Sequence, residues 1–428
     1  MKKQTPKETN AMVNIFSIRD FKLLFIGILT SLLGDQFTLI ATPWLVLQLT
    51  GDPKALGIVL ALEGIPRALF MLYGGVVTDR FSPRNIMLVS DVARLGLVGL
   101  LATAVFTGTV QLWLVYAFSL GFGLVAGFAI PASNSIVPMI VSEKDLQAGN
   151  SVVMGIGQLM GFVGPVTAGI LIGQYAESLW GVGLAFAIDA VTFAISAVTL
   201  WFMQNKGNLT NTAANPANEE TAWAAIKVGL KYVWQDKALR LMFFIIAAVN
   251  FLFVGPMLVG IPVLADQQLP EGATAFGLLM SGFAGGNLVG FLVAGLLPQP
   301  DKKALRFLLL TLLTIFGAVL GVMGFINHTW VDFGLMVLLG LGTGYVTILL
   351  FTSIQARVPK TMLGRIMSLL MLSSNGLIPI SQAISGVITA WSLPYLFVLA
   401  GGLLILVTLW TAGQPALGSF SEEALAQA

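Results

Sequence analysis

Four ionisable side chains fall inside long apolar stretches of this 428-residue chain, where they could bind and release protons. Asp35 lies in the run SLLGDQFTLIATPWLVLQLTG, Glu63 and Arg67 follow one helical turn apart, and Asp189 lies in FAIDAVTFAIS. Ionisable side chains removed from water are costly and usually functional. Because three acids share one base, full ionisation would leave two uncompensated negative charges. We therefore expect at least one carboxyl to hold a proton near neutral pH.

Two interpretations of these residues remain open at this point. We hypothesise that Asp35 or Glu63 carries the proton and that Arg67 tunes it. The alternative is a static ion pair of Arg67 with Glu63, at the favourable i, i+4 spacing, or with Asp35, which would only fix helix packing. Asp189 could equally be a polar packing anchor.

The elements that carry these residues are predicted to be membrane-spanning helices. The chain is 57% hydrophobic and 10% charged, with a mean hydropathy of +0.89, whereas a soluble domain carries about 25% charged residues. Apolar runs of about 18 residues or more, long enough to cross the hydrocarbon core, recur along almost the whole chain. The chain has no Cys, which excludes disulfides and thiolate metal sites. We conclude that this is an integral membrane protein.

The apolar runs predict an all-α membrane protein with twelve transmembrane helices in two six-helix pseudo-symmetric bundles. We place an N-terminal bundle at 1–204, a cytoplasmic linker with an amphipathic helix at 205–238, and a C-terminal bundle with a short cytoplasmic tail at 239–428. Six-span repeats are typical of transporters whose site lies at the repeat interface near the midplane. The predicted spans are 22–48, 55–78, 85–107, 111–137, 148–173, 182–204, 239–264, 273–297, 305–326, 331–355, 363–390 and 393–413.

The distribution of basic residues predicts the orientation. With the N-terminus in the cytoplasm, all 22 Lys and Arg residues except Lys54, Arg67 and Arg94 fall on the cytoplasmic side. This agrees with the positive-inside rule and predicts that both termini are cytoplasmic. The expected location is the inner or plasma membrane.

The linker has two parts with different compositions. NKGNLTNTAANPANEE is polar, whereas TAWAAIKVGLKYVWQDKALR has an amphipathic helical pattern. Trp223, Ile226, Leu230, Val233 and Trp234 share one face of that helix. A helix of this kind is expected to lie on the membrane surface.

The turn between spans 2 and 3 resembles a known family signature. GGVVTDRFSPR is similar to the loop signature G-x-x-x-D-R-x-G-R-[RK] of the major facilitator superfamily, although Ser82 and Pro83 depart from it. The resemblance implies a cytoplasmic latch that holds the two halves together when a transporter faces outward. The alternative is that these charges only mark topology. We assign Asp91 and Arg94 to a charge network around this loop. The matching positions are Gly75, Asp79, Arg80 and Arg84.

Other stretches resemble the proton-driven multidrug exporters of the macrolide-efflux type within this superfamily. In span 5, GFVGPVTAG is similar to the exporter signature at Gly164, Pro165 and Gly169, and Gly161 lies one position out of register. Spans 1 and 6 are also similar to that branch. Many such exporters have an Arg on span 4 that takes part in proton relay. QLWLVYAFSLGFGLVAGFAIPASNS contains no Arg, so that relay is not expected here.

Neutral amides are the candidates for a substrate cavity in the second half, although helix-to-helix hydrogen bonding is the alternative role for each. Opposite an acidic first half, they would suit a bulky apolar or cationic amphiphile better than a carboxylate or phosphate. These amides are Asn250, Asn287, Gln355, Asn375 and Gln382.

From these observations we expect an exporter (antiporter) that works by alternating access. Its partners would be a lipophilic or cationic drug-like compound, protons and the bilayer, with no nucleic acid. The proton gradient would replace any cofactor, and the expected state is a monomer. The alternatives are a facilitator that exports or imports a specific metabolite or siderophore, and a membrane scaffold without transport. No phosphate loop, H-E-x-x-H or G-x-S-x-G motif occurs, and the single histidine, His328, falls in a predicted outer loop, so no enzyme or metal site is expected.

Overall fold

The computed structural model describes residues 11–204, 222–297, 300 and 302–415, and it has a helix at each of the twelve predicted spans. Ten of these helices are long and apolar enough to cross a membrane. Spans 2 and 11 are helices of 28 and 32 residues. The fold class is therefore the predicted one. Spans 1 to 12 are Arg19–Thr50, Pro53–Arg80, Pro83–Phe106, Leu112–Ile140, Leu146–Gly173, Trp180–Phe202, Lys237–Gln267, Ala273–Leu296, Lys302–Met323, Thr329–Arg357, Lys360–Trp391 and Leu393–Ala412.

Several span ends extend beyond the predicted apolar runs because capping, rather than hydropathy, ends a helix. Span 2 begins where the Asp52 side chain accepts a hydrogen bond from the backbone N–H of Lys54, with Pro53 in the first turn. Two short helices flank the spans, Ala11–Ser17 before span 1 and Ala222–Gln235, the linker helix, before span 7.

Span 7 contains a π-helical segment at Asn250–Val254, directly before Pro256. Proline has no backbone N–H and its ring crowds the preceding turn, so a widened turn accommodates it. The side chain of Asn250 donates to the carbonyl of Ile246 within the same helix, at 2.8 Å.

The two halves repeat one packing pattern. In the first half, span 1 packs on spans 5 and 6, span 2 on span 4, and span 3 on span 6. In the second half, span 7 packs on spans 11 and 12, span 8 on span 10, and span 9 on span 12. The halves meet where span 2 packs on span 11 and span 5 packs on span 8. The linker between them falls mostly outside the described residues.

Contacts between the halves lie from the middle of the bundle toward one end. We call the end at which span 1 begins and span 12 ends the terminal end, and the opposite one the far end. Near the far end, Gln48 Nε2 donates to Asp266 Oδ1 at 2.9 Å. There, too, a Cβ at Gly57 would lie 2.7 Å from the backbone oxygen of Gln382. Toward the terminal end, a Cβ at Gly157 would meet nothing within 4 Å. Among the described residues, the contacts between the halves therefore lie from the far end to the middle of the bundle, and Gly157, nearer the terminal end, has open space beside it.

Candidate functional site

A cavity of about 390 Å³ lies within the first half of the bundle. Spans 1 to 4 supply most of its wall, with apolar side chains between the charged ones. Two of its charged residues come from span 2 and two from span 3, and the fifth is near the middle of span 1. The ionisable residues that line it are Asp35, Glu63, Arg67, Asp91 and Arg94.

Asp35 and Arg94 face each other across this cavity. Arg94 Nη1 lies 3.9 Å from Asp35 Oδ1, and 31% of the Asp35 side chain remains exposed. The guanidinium carbon of Arg94 also lies 5.2 Å and 5.4 Å from the ring centroids of Phe122 and Phe193. Both rings therefore hold the cation by cation–π attraction. Arg94 Nε is buried and has no hydrogen-bond partner among the described residues.

Glu63 and Arg67 form an ion pair on one face of span 2. Arg67 Nη1 lies 3.2 Å from Glu63 Oε1, with both side chains partly exposed to the cavity. Span 4 can approach this turn closely because Gly123 and Gly127 have no side chains. A Cβ at Gly127 would lie 2.7 Å from Cβ of Phe70 and 3.1 Å from the Arg67 carbonyl oxygen. The glycines of span 4 thus allow the close packing of spans 2 and 4 that positions the Glu63–Arg67 pair.

Asp189 joins spans 6 and 1 behind the cavity and does not line it. Its side chain is fully buried, and its carboxylate accepts hydrogen bonds from the hydroxyls of Thr38 at 2.5 Å and Thr192 at 3.2 Å. Gly34 leaves the space that these groups occupy. Such bonds satisfy a buried polar group, so this geometry favours the packing-anchor interpretation of Asp189 over a mobile proton site.

The assignment of Asp91 and Arg94 to the charge network around the 79–84 loop is wrong. They lie 8 and 11 residues beyond Pro83, about 12 Å and 16 Å along the helix axis, and they face the cavity. Asp91 Oδ2 accepts a hydrogen bond from Ser196 Oγ at 2.6 Å. The helical spacing of Asp91 and Arg94 on one face of an apolar span was the signal that could have placed them here.

With Asp91 and Arg94 added to the buried charges, acidic groups still outnumber basic ones in the first half. Within the described parts of the first half, four carboxyls and two guanidinium groups now lie at depth, so the acids still outnumber the bases by two. These carboxyls belong to Asp35, Glu63, Asp91 and Asp189.

In the predicted latch, Arg84 contacts its own half. Its Nε and Nη2 atoms donate to the carbonyl oxygens of Leu200 and Trp201, each at 2.7 Å. These carbonyls end span 6, where a cation also complements the helix dipole. Arg84 therefore ties span 3 to span 6 in this conformation. A Cβ at Gly75 would meet nothing within 4 Å, and the side chains of Asp79 and Arg80 lie outside the described residues.

The exporter-type stretch of span 5 forms half of the contact between spans 5 and 8. A Cβ at Gly169 would lie 2.8 Å from Cα of Gly277, and Val166 donates its backbone N–H to Ser281 Oγ at 2.9 Å. At Gly164, a Cβ would meet Gln36 of span 1. Gly161, Pro165 and Gly169 thus lie at the contact of the first half with span 8, whereas Gly164 lets span 5 approach span 1.

The amides predicted for a substrate cavity are spread over the second half. Asn250 lines a small cavity of about 230 Å³, Gln382 is buried close to span 2, and Gln355 is exposed near the terminal end. Asn287 is half-buried between spans 8 and 10. The side chain of Asn375 lies outside the described residues.

Two ionisable groups of the second half lie at span ends. Asp332 is fully buried, and neither of its carboxylate oxygens has a hydrogen-bond partner among the described residues. Asp236, just before span 7, pairs with Arg357 Nε at 2.7 Å. Burial would raise the pKa of Asp236, but the bonds from Arg357 and from the backbone N–H groups of Leu239 and Ala238 outweigh burial and hold that pKa below its usual range.

Comparison with known proteins gives a family match and distant relatives. The model of the Major Facilitator Superfamily matches residues 24–382. The chain is 25% identical over 381 residues to the multidrug efflux pump Tap of Mycobacterium tuberculosis, covering 86% of each chain. It is 22% identical over 347 residues to the enterobactin exporter EntS of Shigella flexneri, covering 81% of this chain and 79% of EntS. The fold is similar to that of the nucleoside transporter NupG, with a TM-score of 0.73 at 12% identity over 92% of this chain and 98% of NupG.

Proposed function

This chain belongs to the Major Facilitator Superfamily, and on that premise we propose that it is a proton-coupled exporter of lipophilic or cationic drug-like compounds. It is a secondary transporter and not an enzyme. One observation carries this proposal: three carboxyls and two guanidinium groups line one cavity at membrane depth, and a fourth carboxyl, that of Asp189, lies buried behind it. Ionisable residues in such positions are typical of proton pathways.

Asp35 is the residue that we assign as the proton carrier, with Arg94 as its tuning partner in place of Arg67. Without its proton, Asp35 is a carboxylate 3.9 Å from the Arg94 guanidinium. With a proton it is neutral, and Arg94 then keeps the faces of Phe122 and Phe193 and the attraction of the carboxyls of Glu63 and Asp91. A proton thus changes which groups hold Arg94.

Glu63 is the second candidate for the proton, with Arg67 as its fixed partner. The excess of acids over bases gives the first half a negative cavity. A cationic substrate and a proton would compete for the same carboxyls, which is the minimum requirement for exchange. A neutral lipophilic substrate would meet the apolar wall instead.

Export, rather than import, is supported by the printed names of relatives and by span 5. Tap is named a multidrug efflux pump and EntS an enterobactin exporter. Of the span 5 positions that resemble the exporter signature, Pro165 and Gly169 lie at the contact with span 8, and Gly164 faces span 1. EntS also favours a second candidate function, the export of one specific metabolite of the siderophore kind.

We test export in cells that lack their own pumps, loaded with a fluorescent lipophilic cation. Expression of this protein should lower the cell fluorescence, and a protonophore should restore it. A loss of fluorescence that the protonophore leaves unchanged would contradict proton coupling. No change with any cation, together with secretion of a siderophore-like metabolite, would select the second candidate.

We place the chain in the inner membrane as a monomer, with both termini in the cytoplasm. Because the chain has no Cys, single-cysteine variants can report this orientation. Lys54 and Lys22 are at opposite ends of the bundle, and both are described. Lys54→Cys should react with an impermeant maleimide on intact cells, whereas Lys22→Cys should react only after lysis. The reverse pattern would invert the orientation.

A further inference from the structure

A groove of about 700 Å³ lies on the second half at the terminal end, away from the acidic cavity. The linker helix, the first turns of span 7 and the end of span 12 form its walls. The residues that line it include Trp234, Lys237, Arg240, Phe244 and Trp410.

The mouth of this groove carries two positive charges. Lys237 and Arg240 are both exposed, and neither forms an ion pair with another described residue. Arg240 lies 5.8 Å above the ring of Trp234 and donates from Nη1 to the Trp234 carbonyl oxygen at 3.3 Å. The adjacent carboxylate of Asp236 is already paired with Arg357. The groove therefore offers two cationic donors, and none of the described residues that line it is acidic.

The floor and rim of the groove are aromatic. Trp234 is 65% exposed, and the rings of Phe244 and Trp410 are 4.9 Å apart and also exposed. Tryptophan is enriched at the level of the lipid headgroups, where its ring meets both apolar and polar groups. Basic residues at the start of one span thus stand beside aromatic residues at the end of another. This combination matches a phosphate joined to acyl chains.

We propose that this groove binds an anionic glycerophospholipid, with the phosphate at Lys237 and Arg240 and an acyl chain along Phe244 and Trp410. Basic pockets beside spans on the cytoplasmic side bind anionic headgroups. The two uncompensated charges disfavour a cationic transport substrate here, so this site is separate from the acidic cavity. The inference does not depend on which compound the protein transports.

Tryptophan quenching by brominated lipid provides the test. The full-length protein is placed in vesicles of phosphatidylcholine with increasing brominated phosphatidylglycerol. We expect saturable quenching that Trp234→Phe reduces. The double variant Lys237→Ala/Arg240→Ala should require about thirtyfold more phosphatidylglycerol for the same quenching, since each surface basic residue contributes roughly a factor of five.

Matched variants and lipids separate this site from general effects. Lys22→Ala removes an exposed basic residue of the other half at the same end, and it should leave the quenching curve unchanged. Arg240→Lys keeps the charge and should retain most of the binding. The proposal is overturned if brominated phosphatidylcholine quenches equally well, or if the double variant, folded by its melting temperature, binds like the wild type. Displacement of the lipid by millimolar inorganic phosphate would also overturn it, since that would indicate a free-phosphate site.

Discussion

Replacing Asp35 with asparagine should uncouple transport from protons without abolishing movement of the substrate. The asparagine side chain would be close in shape to a protonated carboxyl and would lack the charge that faces Arg94. At the observed 3.9 Å, the attraction between the two charges is about 4 kcal/mol at an effective dielectric constant of 20. Because 31% of the Asp35 side chain is exposed, water screens this attraction, and we expect about 1 to 4 kcal/mol.

An energy of that size changes the ratio of two conformations by about fivefold to a thousandfold. We therefore expect Asp35→Asn to lose accumulation driven by a pH gradient, down to the level of protein-free vesicles. Exchange of labelled substrate at equal pH should stay within about threefold of the wild type. The assay uses proteoliposomes and a radiolabelled lipophilic cation in both modes.

Asp332→Asn is the matched control, because it removes a buried carboxyl from the other half. It should retain both activities. If Asp35→Asn retained gradient-driven accumulation, the Asp35–Arg94 pair would not couple transport to protons. Loss of both modes, with normal folding, would instead indicate that Asp35 binds the substrate.

Four further outcomes are expected. Arg84→Gln should lower the melting temperature, because two charge-assisted hydrogen bonds to the end of span 6, each worth about 1.5 to 3 kcal/mol, are lost. Arg84→Lys, which keeps the charge, should recover part of the lost stability. Asp332→Asn should melt at or above the wild-type temperature, since the carboxylate has no described partner to lose. Gly277→Leu should reduce transport at normal expression, because its side chain would meet the backbone of span 5 and hold the far end open; unchanged transport would contradict this contact. Asp236→Asn should lower the melting temperature by a constant amount from pH 7 to 5, and the difference between variant and wild type should close below about pH 4. The reason is that a carboxyl whose pKa is lowered in the folded state stabilises the fold above its unfolded pKa of about 3.9. This stabilisation is lost as the pH falls through the folded pKa.

The number and order of the helices could be predicted from the sequence because the apolar runs that hydropathy identifies each form one helix. Span 3 illustrates the accuracy and its limit: the predicted run 85–107 is close to the observed Pro83–Phe106. The ends differ because prolines and capping side chains, such as Asp52 before span 2, set where helices begin.

The composition of the charged site could be predicted only in part. The depth of Asp35 followed from its position in a long apolar run, and the Glu63–Arg67 pair followed from helical spacing. That Arg94 would reach Asp35 depends on how spans 1 and 3 pack, which no local pattern contains. The cation–π contacts with Phe122 and Phe193, on two other spans, likewise arise only from tertiary packing.

The latch shows a different limit. Four matched positions predicted an element between the halves, but Arg84 binds the end of span 6 in its own half. The sequence of a transporter specifies contacts for more than one conformation. A single structure shows only the contacts of the conformation that it represents. Because the described contacts between the halves lie toward the far end, an outward-facing role for the loop stays a prediction.

Whether Asp35 carries a proton during transport can be measured as proton movement across the membrane. Proteoliposomes containing a pH-sensitive dye would be given a lipophilic cation with no imposed gradient, for the wild type and for Asp35→Asn. We expect a substrate-evoked pH change with the wild type and none with Asp35→Asn. An equal pH change with both proteins would contradict the assignment of Asp35 as the proton carrier, and transport by the wild type with no pH change would contradict proton coupling.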